Sequence, residues 1–146
     1  MSKRKQAEGL FLAGCNCAQA VLCAFEKETG LDHKTAMMLS SSFGGGMGRM
    51  REVCGAVSGM FMVAGLLYGY DENSPKEAKA EHYARIRELA EQFKEKTGSI
   101  LCRDLLDKKA IVGGLPEERT PEYYRSRPCA YLVGLAAEIT ENLTKK

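Results

Sequence analysis

Tryptophan is missing from this chain, histidine occurs only at positions 33 and 82, and 146 residues contain four prolines. Neither sign of charge is in excess: 21 Lys and Arg stand against 19 Asp and Glu, a net of +2. That balance argues against nucleic acid or an anionic membrane surface as partner. No apolar run reaches the roughly 20 residues needed to span a bilayer. The nearest candidate, 56–70, is too short and rich in glycine. The start has a basic head and then Leu12-Ala13-Gly14-Cys15, which imitates a lipoprotein cleavage box. An export signal, however, needs about 7–15 apolar residues, and here Gln6, Glu8 and Gly9 leave only Leu10 to Ala13. A cytoplasmic protein is therefore expected. Also absent are a hydrolytic triad, paired catalytic carboxylates and a nucleotide loop. The glycines at 44–48 form no Walker A motif, and no dinucleotide fingerprint, because the third glycine falls at Arg49 or Arg51 in either register and no strand precedes them.

Cysteine, by contrast, is plentiful, with six in the chain. Permanent disulfides are uncommon in the cytoplasm, so clustered thiols there lean toward metal or redox work. The apolar spacing is helical throughout, with no alternating strand pattern and no internal repeat. Residues 3–13 read as a first amphipathic helix. Asn16 with Gln19 makes a capping box for a helix over 17–28 that stops at Gly30. Asp32 caps a third. Residues 54–69 are apolar on every side, as in a helix surrounded by others. Gly55 and Gly59, like Gly65 and Gly69, bare one face of it for close approach by a helix or a second subunit, so a homodimer is plausible. Ser74-Pro75 opens a helix to about 96 with a stripe of Tyr83, Ile86, Ala90 and Phe93. Ser99 caps a short helix, 108–125 reads as loop, and Ser126-Arg127-Pro128 opens the last helix. The expectation is an all-α, single-domain bundle of six or seven helices over 1–146.

Four cysteines fall in the first turn of a predicted helix: Cys17, Cys54, Cys102 and Cys129. Free N–H groups and partial positive charge at a helix start favour an anion by about 0.3–1 kcal/mol, so these thiols are primed to ionise. Cys23 is mid-helix and reads as a small buried hydrophobe; Cys15 precedes its helix. His33 and His82 read as solvated. Arg49, Arg51 and Glu52 border Cys54 as a docking patch or an influence on the thiol. Arg103 and Asp104 flank Cys102, and Tyr123 and Tyr124 could cover the site.

Asn16-Cys17-Ala18-Gln19-Ala20-Val21, Phe43-Gly44-Gly45-Gly46-Met47-Gly48, Cys54-Gly55-Ala56-Val57-Ser58-Gly59 and the lone Cys102 and Cys129 resemble the C_GCAxxG_C_C family of small redox-active proteins. The likeness covers nearly the whole chain. It implies that Cys17, Cys54, Cys102 and Cys129 are the hallmark cysteines, the set that helix position also selects, and leaves Cys15 and Cys23 outside the pattern.

If the four converge, their charge must be dealt with. Two thiolates about 4 Å apart repel by roughly 4 kcal/mol at an effective dielectric of 20, so the group must be protonated, oxidised or bound to a cation. Short C-x₂-C pairs typical of zinc ribbons are absent. The leading expectation is an iron–sulfur cluster such as [2Fe–2S] on all four, for electron transfer or redox sensing with a redox partner. The alternative is dithiol–disulfide exchange, with Cys54 as the low-pKa thiol and Cys17 among its partners. A third is a non-enzymatic zinc or structural module. Sulfurs all within about 4 Å of one another indicate a metal or cluster; pairs near 2 Å indicate disulfides.

Overall fold

Side chains that take free backbone N–H groups set where the helices begin. A computed structural model describes residues 1–107 and 110–145; Lys108 and Lys109, at the head of the expected loop, lie outside the described residues, as does Lys146. Ser2 caps α1 (Lys3–Leu12), its hydroxyl accepting from the Lys5 N–H. Asn16 caps α2 (Cys17–Cys23) with the expected box: its side-chain oxygen accepts from the Gln19 N–H at 2.8 Å, and the Gln19 side chain accepts from the Asn16 N–H at 3.0 Å. The helix expected to run on to 28 breaks at Ala24-Phe25 and resumes as α3 (Glu26–Thr29), closed by Gly30 at φ 78°. Phe25 leaves helical geometry there and is fully buried. Asp32 caps α4 (His33–Ser40).

Helix α5 (Gly55–Tyr68) lies at the centre, packed on α2 and on the last helix. Its first ten residues hold Val57, Met60 and Val63 in the core, whereas Gly65, Leu66 and Tyr68 are exposed, so the helix is enclosed for only part of its length. A Cβ on Gly59 would stand 2.9 Å from Ala18 O and from Val21 Cβ. The Gly55–Gly59 face is thus taken by α2 of the same chain.

Helix α6 (Ala78–Thr97) begins three residues after the expected Ser74-Pro75 start, because Ser74 Oγ is engaged with Asp71: it accepts from the Asp71 N–H and donates to Asp71 Oδ1. The buried stripe of α6 is His82, Leu89 and Phe93, with Tyr83 turned outward. His82 is therefore not solvated, as read from its charged neighbours. Its Nδ1 takes the Arg85 guanidinium at 2.9 Å, and its ring meets Tyr70 edge-on. Helix α7 (Cys102–Leu106) is capped by Leu101 rather than Ser99, whose hydroxyl accepts from the Leu101 N–H and donates to Asp104. Within the expected loop, Thr120 and Pro121 start α8 (Pro121–Ser126). Helix α9 (Cys129–Thr144) follows Pro128 and packs along α1, where Gly134 admits the Glu8 side chain. The fold is all-α. Six helices among the described residues have seven residues or more. The isolated bridge between Val53 and Leu101 joins two segments that both end in cysteine.

Candidate functional site

Each of the four cysteines stands where a helix starts: Cys17, Cys102 and Cys129 are the first residues of α2, α7 and α9, and Cys54 is the cap of α5. The Val53–Leu101 bridge aligns two of these starts, with the Cys54 N–H donating to Ile100 O and the Cys102 N–H to Glu52 O, both at 2.7 Å. All four side chains line one cavity of about 50 Å³, several times the space that one water needs. Cys15 and Cys23 do not reach it.

A left-handed turn closes the cavity on one side. Gly45, Gly46, Met47, Gly48 and Arg49 have consecutive φ values between 61° and 69°, and Arg51 follows at 59°. Each non-glycine residue in that conformation costs roughly 1–2 kcal/mol. The turn is held by Gly48 N–H to Gly44 O and Glu52 N–H to Gly46 O, both at 2.9 Å. A Cβ on Gly46 would stand 2.6 Å from Cys102 Cβ and 2.8 Å from Arg51 Cα. The glycine is what lets the turn lie against Cys102 and tuck Arg51 beneath it.

Arginines supply the local charge. Arg51 is only 2% exposed; its Nε donates to Ile111 O at 2.9 Å and its Nη1 to Cys102 Sγ at 3.6 Å, while Nη2 is buried with no partner among the described residues. Arg119 donates to Phe11 O and Cys15 O and lies over the Phe11 and Tyr123 rings. Arg127 pairs with Glu117 and also stacks on Tyr123. Outside the cavity is a wider chamber of about 290 Å³, lined by Arg49, Arg51, Arg119 and Arg127 with Glu117 as the single acid.

These surroundings separate the thiols. Cys129 is drawn below the usual thiol range by the neighbouring Cys17 thiol and by the Arg127, Arg119 and Arg51 charges. The same neighbour, with burial, raises Cys17, so of the two thiols Cys129 is the one that ionises more readily. Burial pushes Cys54 up to about 12 against the opposing pull of the nearby Ala56 and Val57 N–H groups. The expected low-pKa thiol at Cys54 is thus not found; a helix start favours the anion by less than full desolvation costs. Burial also raises Cys102, opposed by Arg51.

All six cysteines are free thiols. Among the described residues, no three sulfurs of the quartet lie within 4.8 Å of one another. One tetrahedral ion with bonds of about 2.3 Å would need every sulfur pair about 3.8 Å apart, so the side chains as they stand meet neither expected spacing: the four sulfurs are not all within about 4 Å of one another, and the free thiols form no disulfide pairs.

Of the flanking residues weighed from sequence, Tyr123 lines the cavity, while Tyr124 sits behind it with its hydroxyl donating to Leu12 O. Arg103 pairs with Glu52 at 2.6 Å on the surface. Sequence reasoning missed Arg119, in the stretch read as loop, and Arg127, read only as part of the opening of the last helix. The available signal was the run of arginines and tyrosines immediately before Cys129. No curated protein and no solved structure matches the chain significantly. A family model described as "Putative redox-active protein (C_GCAxxG_C_C)" matches residues 15–143, and by that match, which takes in all four helix-start cysteines, the chain belongs to this redox-active family.

Proposed function

We propose that Cys17, Cys54, Cys102 and Cys129 hold a small iron–sulfur cluster, such as [2Fe–2S], and that the protein carries or senses electrons through it. The carrying observation is the convergence of four free thiols, each at a helix start, on one cavity. The donor set fits in a second respect. Four thiolates need positive surroundings, and the buried Arg51 offers one guanidinium nitrogen to Cys102 and another with no partner among the described residues. Bound there, a cluster would supply one-electron chemistry.

The chain's own residues do the rest. Phe11, Leu132 and Tyr123 wall the cavity and keep bulk water from the sulfurs. The guanidinium groups offset the sulfur charge. The arginine-lined chamber faces outward and suits approach by an electronegative redox partner. The test is purification without oxygen: a coloured protein with stoichiometric iron and acid-labile sulfide is expected, bleaching on reduction. A colourless, iron-free protein with four titratable thiols overturns the reading.

A second reading rests on Cys17 and Cys129 lining the same cavity, with Cys129 lowered and Cys17 raised. The Cys129 thiolate would attack a substrate disulfide and expel one thiolate. Cys17, on losing its proton, would then displace the other sulfur and close a Cys17–Cys129 disulfide, leaving the substrate as two thiols. In this reading Cys129 replaces Cys54 as the attacking thiol.

A further inference from the structure

Three consecutive helices meet at a corner that the redox site does not use. Cys23 is the last residue of α2, Glu26 the first of α3 and His33 the first of α4. The Cys23 Sγ, a Glu26 carboxylate oxygen and a His33 ring nitrogen all lie within 4.8 Å of one another, and no other trio of His, Cys, Asp or Glu among the described residues meets that distance. His33 Nδ1 stands 2.9 and 3.0 Å from the two Glu26 oxygens. The corner is firmly built: Phe25 is fully buried beneath it, Gly30 turns the chain at φ 78°, and the Asp32 cap fixes the start of α4. It is also open on one side, with the Glu26 and His33 side chains 26% and 64% exposed.

We propose that Cys23, Glu26 and His33 bind a borderline-soft divalent cation of the Zn²⁺ class, with a fourth position left to solvent. Zinc takes thiolate at about 2.3 Å and imidazole or carboxylate at about 2.0–2.2 Å, which in a tetrahedron sets these donors about 3.3–3.6 Å apart. The three atoms are already within reach of that spacing. Calcium and magnesium take oxygen donors, so a thiol and an imidazole select against them. On binding, the cation displaces the Cys23 thiol proton to solvent, and His33 keeps its proton on Nε2 while Nδ1 ligates. Thiolate and carboxylate together cancel the two positive charges, leaving a neutral centre. Cys17 and Cys23 sit at opposite ends of α2, about 9 Å apart along its axis, so this site and the four-cysteine cavity are separate. The metal would pin α2, α3 and α4 into one corner.

Co²⁺ is the probe, titrated without oxygen into the full-length protein after chelator treatment. One equivalent is expected to bind with a near-ultraviolet sulfur-to-cobalt charge-transfer band that Zn²⁺ bleaches by displacement. Cys23→Ser should abolish the band, and His33→Gln should weaken binding by about tenfold or more. Both variants should retain the wild-type iron and sulfide content, which reports the quartet independently. An iron-free wild-type protein should still bind this cobalt, so failure of the cluster reading leaves the test intact. A band unchanged in both variants, or no band in the wild type, overturns the proposal.

Discussion

Two groups of cysteine share this chain and differ in their place on the helices and in the charge beside them. The quartet stands at helix starts, inside a cavity, beside arginines. Cys15 and Cys23 stand before and at the end of α2, with Glu26 as the charged neighbour common to both. Within the quartet, Cys129 is lowered because a neighbouring thiol and three guanidinium groups outweigh burial. Cys23 is pushed up to about 12 by burial first and by the Glu26 carboxylate after it. Burial is common to both sites. The sign of the neighbouring charge, more than the end of the helix, separates the sulfur that ionises readily from the one that waits for a cation.

The sharpest way to break this contrast is to remove one sulfur from each group. Cys129→Ser is expected to lose most of the iron and acid-labile sulfide, whereas Cys15→Ser retains both, measured on protein purified without oxygen. Equal loss in the two variants would mean that the cavity is not where the iron sits.

The backbone shows the same division. Gly46→Ala places a Cβ against Cys102 and Arg51 at φ 69°. The left-handed cost of about 1–2 kcal/mol and an overpacking cost of about 1–3 kcal/mol together predict a loss of about 2–5 kcal/mol in urea unfolding. Gly65, exposed on α5 with open space where its Cβ would go, should gain about 0.8–1 kcal/mol on replacement by alanine. Similar effects at the two positions would mean that the turn at 45–49 is not under constraint from Cys102.

A finer test uses reduced, metal-free protein. At pH 7 a thiol with a lowered pKa is more ionised than a free one, so Cys129 should alkylate faster than Cys23, read by mass spectrometry of the labelled peptides. Cys17→Ala removes the neighbouring sulfur, raises the Cys129 pKa and slows its alkylation, by about tenfold for each unit gained. An unchanged Cys129 rate would show that the arginines alone hold the charge.

Much of this contrast could be read from the chain before any coordinates, because it depends on local signals. The Asn16–Gln19 box, the Asp32 cap and the stop at Gly30 involve residues within a few positions of one another. The Asn16 box was enough to put Cys17 at a helix start, whereas Ser99, the signal read for Cys102, is not the cap. What was not legible depends on contacts distant in sequence. The Val53–Leu101 bridge joins segments 48 positions apart, and nothing local announces it. Arg51 reaches Cys102, and Arg119 reaches Cys15 O, only once the bundle is closed. The four glycines at 44–48 signalled backbone freedom, but not that Met47 and Arg49 would share the left-handed turn. His33 was read as exposed, and it is, yet its partners Cys23 and Glu26 come together only because the helix breaks at Phe25.

The smallest effect concerns His82, where surroundings again override residue type. Burial first, and the Arg85 charge second, lower its pKa below the ordinary value. The unfolded chain then binds more protons than the folded one near pH 6, so stability rises with pH there. The contribution is complete above the unfolded value of about 6.5 and is lost as pH falls through it, levelling off below the folded pKa. His82→Gln removes the titrating group and should flatten this part of the stability curve between about pH 5 and pH 7, measured by urea midpoints across that range. Glu28 beside Lys3 and Glu138 beside Arg4 also have lowered pKa values, but the stability they contribute is lost only as pH falls below the unfolded carboxylate value of about 4.3, outside this range. A wild-type slope that survives the substitution intact would show that the buried ring is not its source.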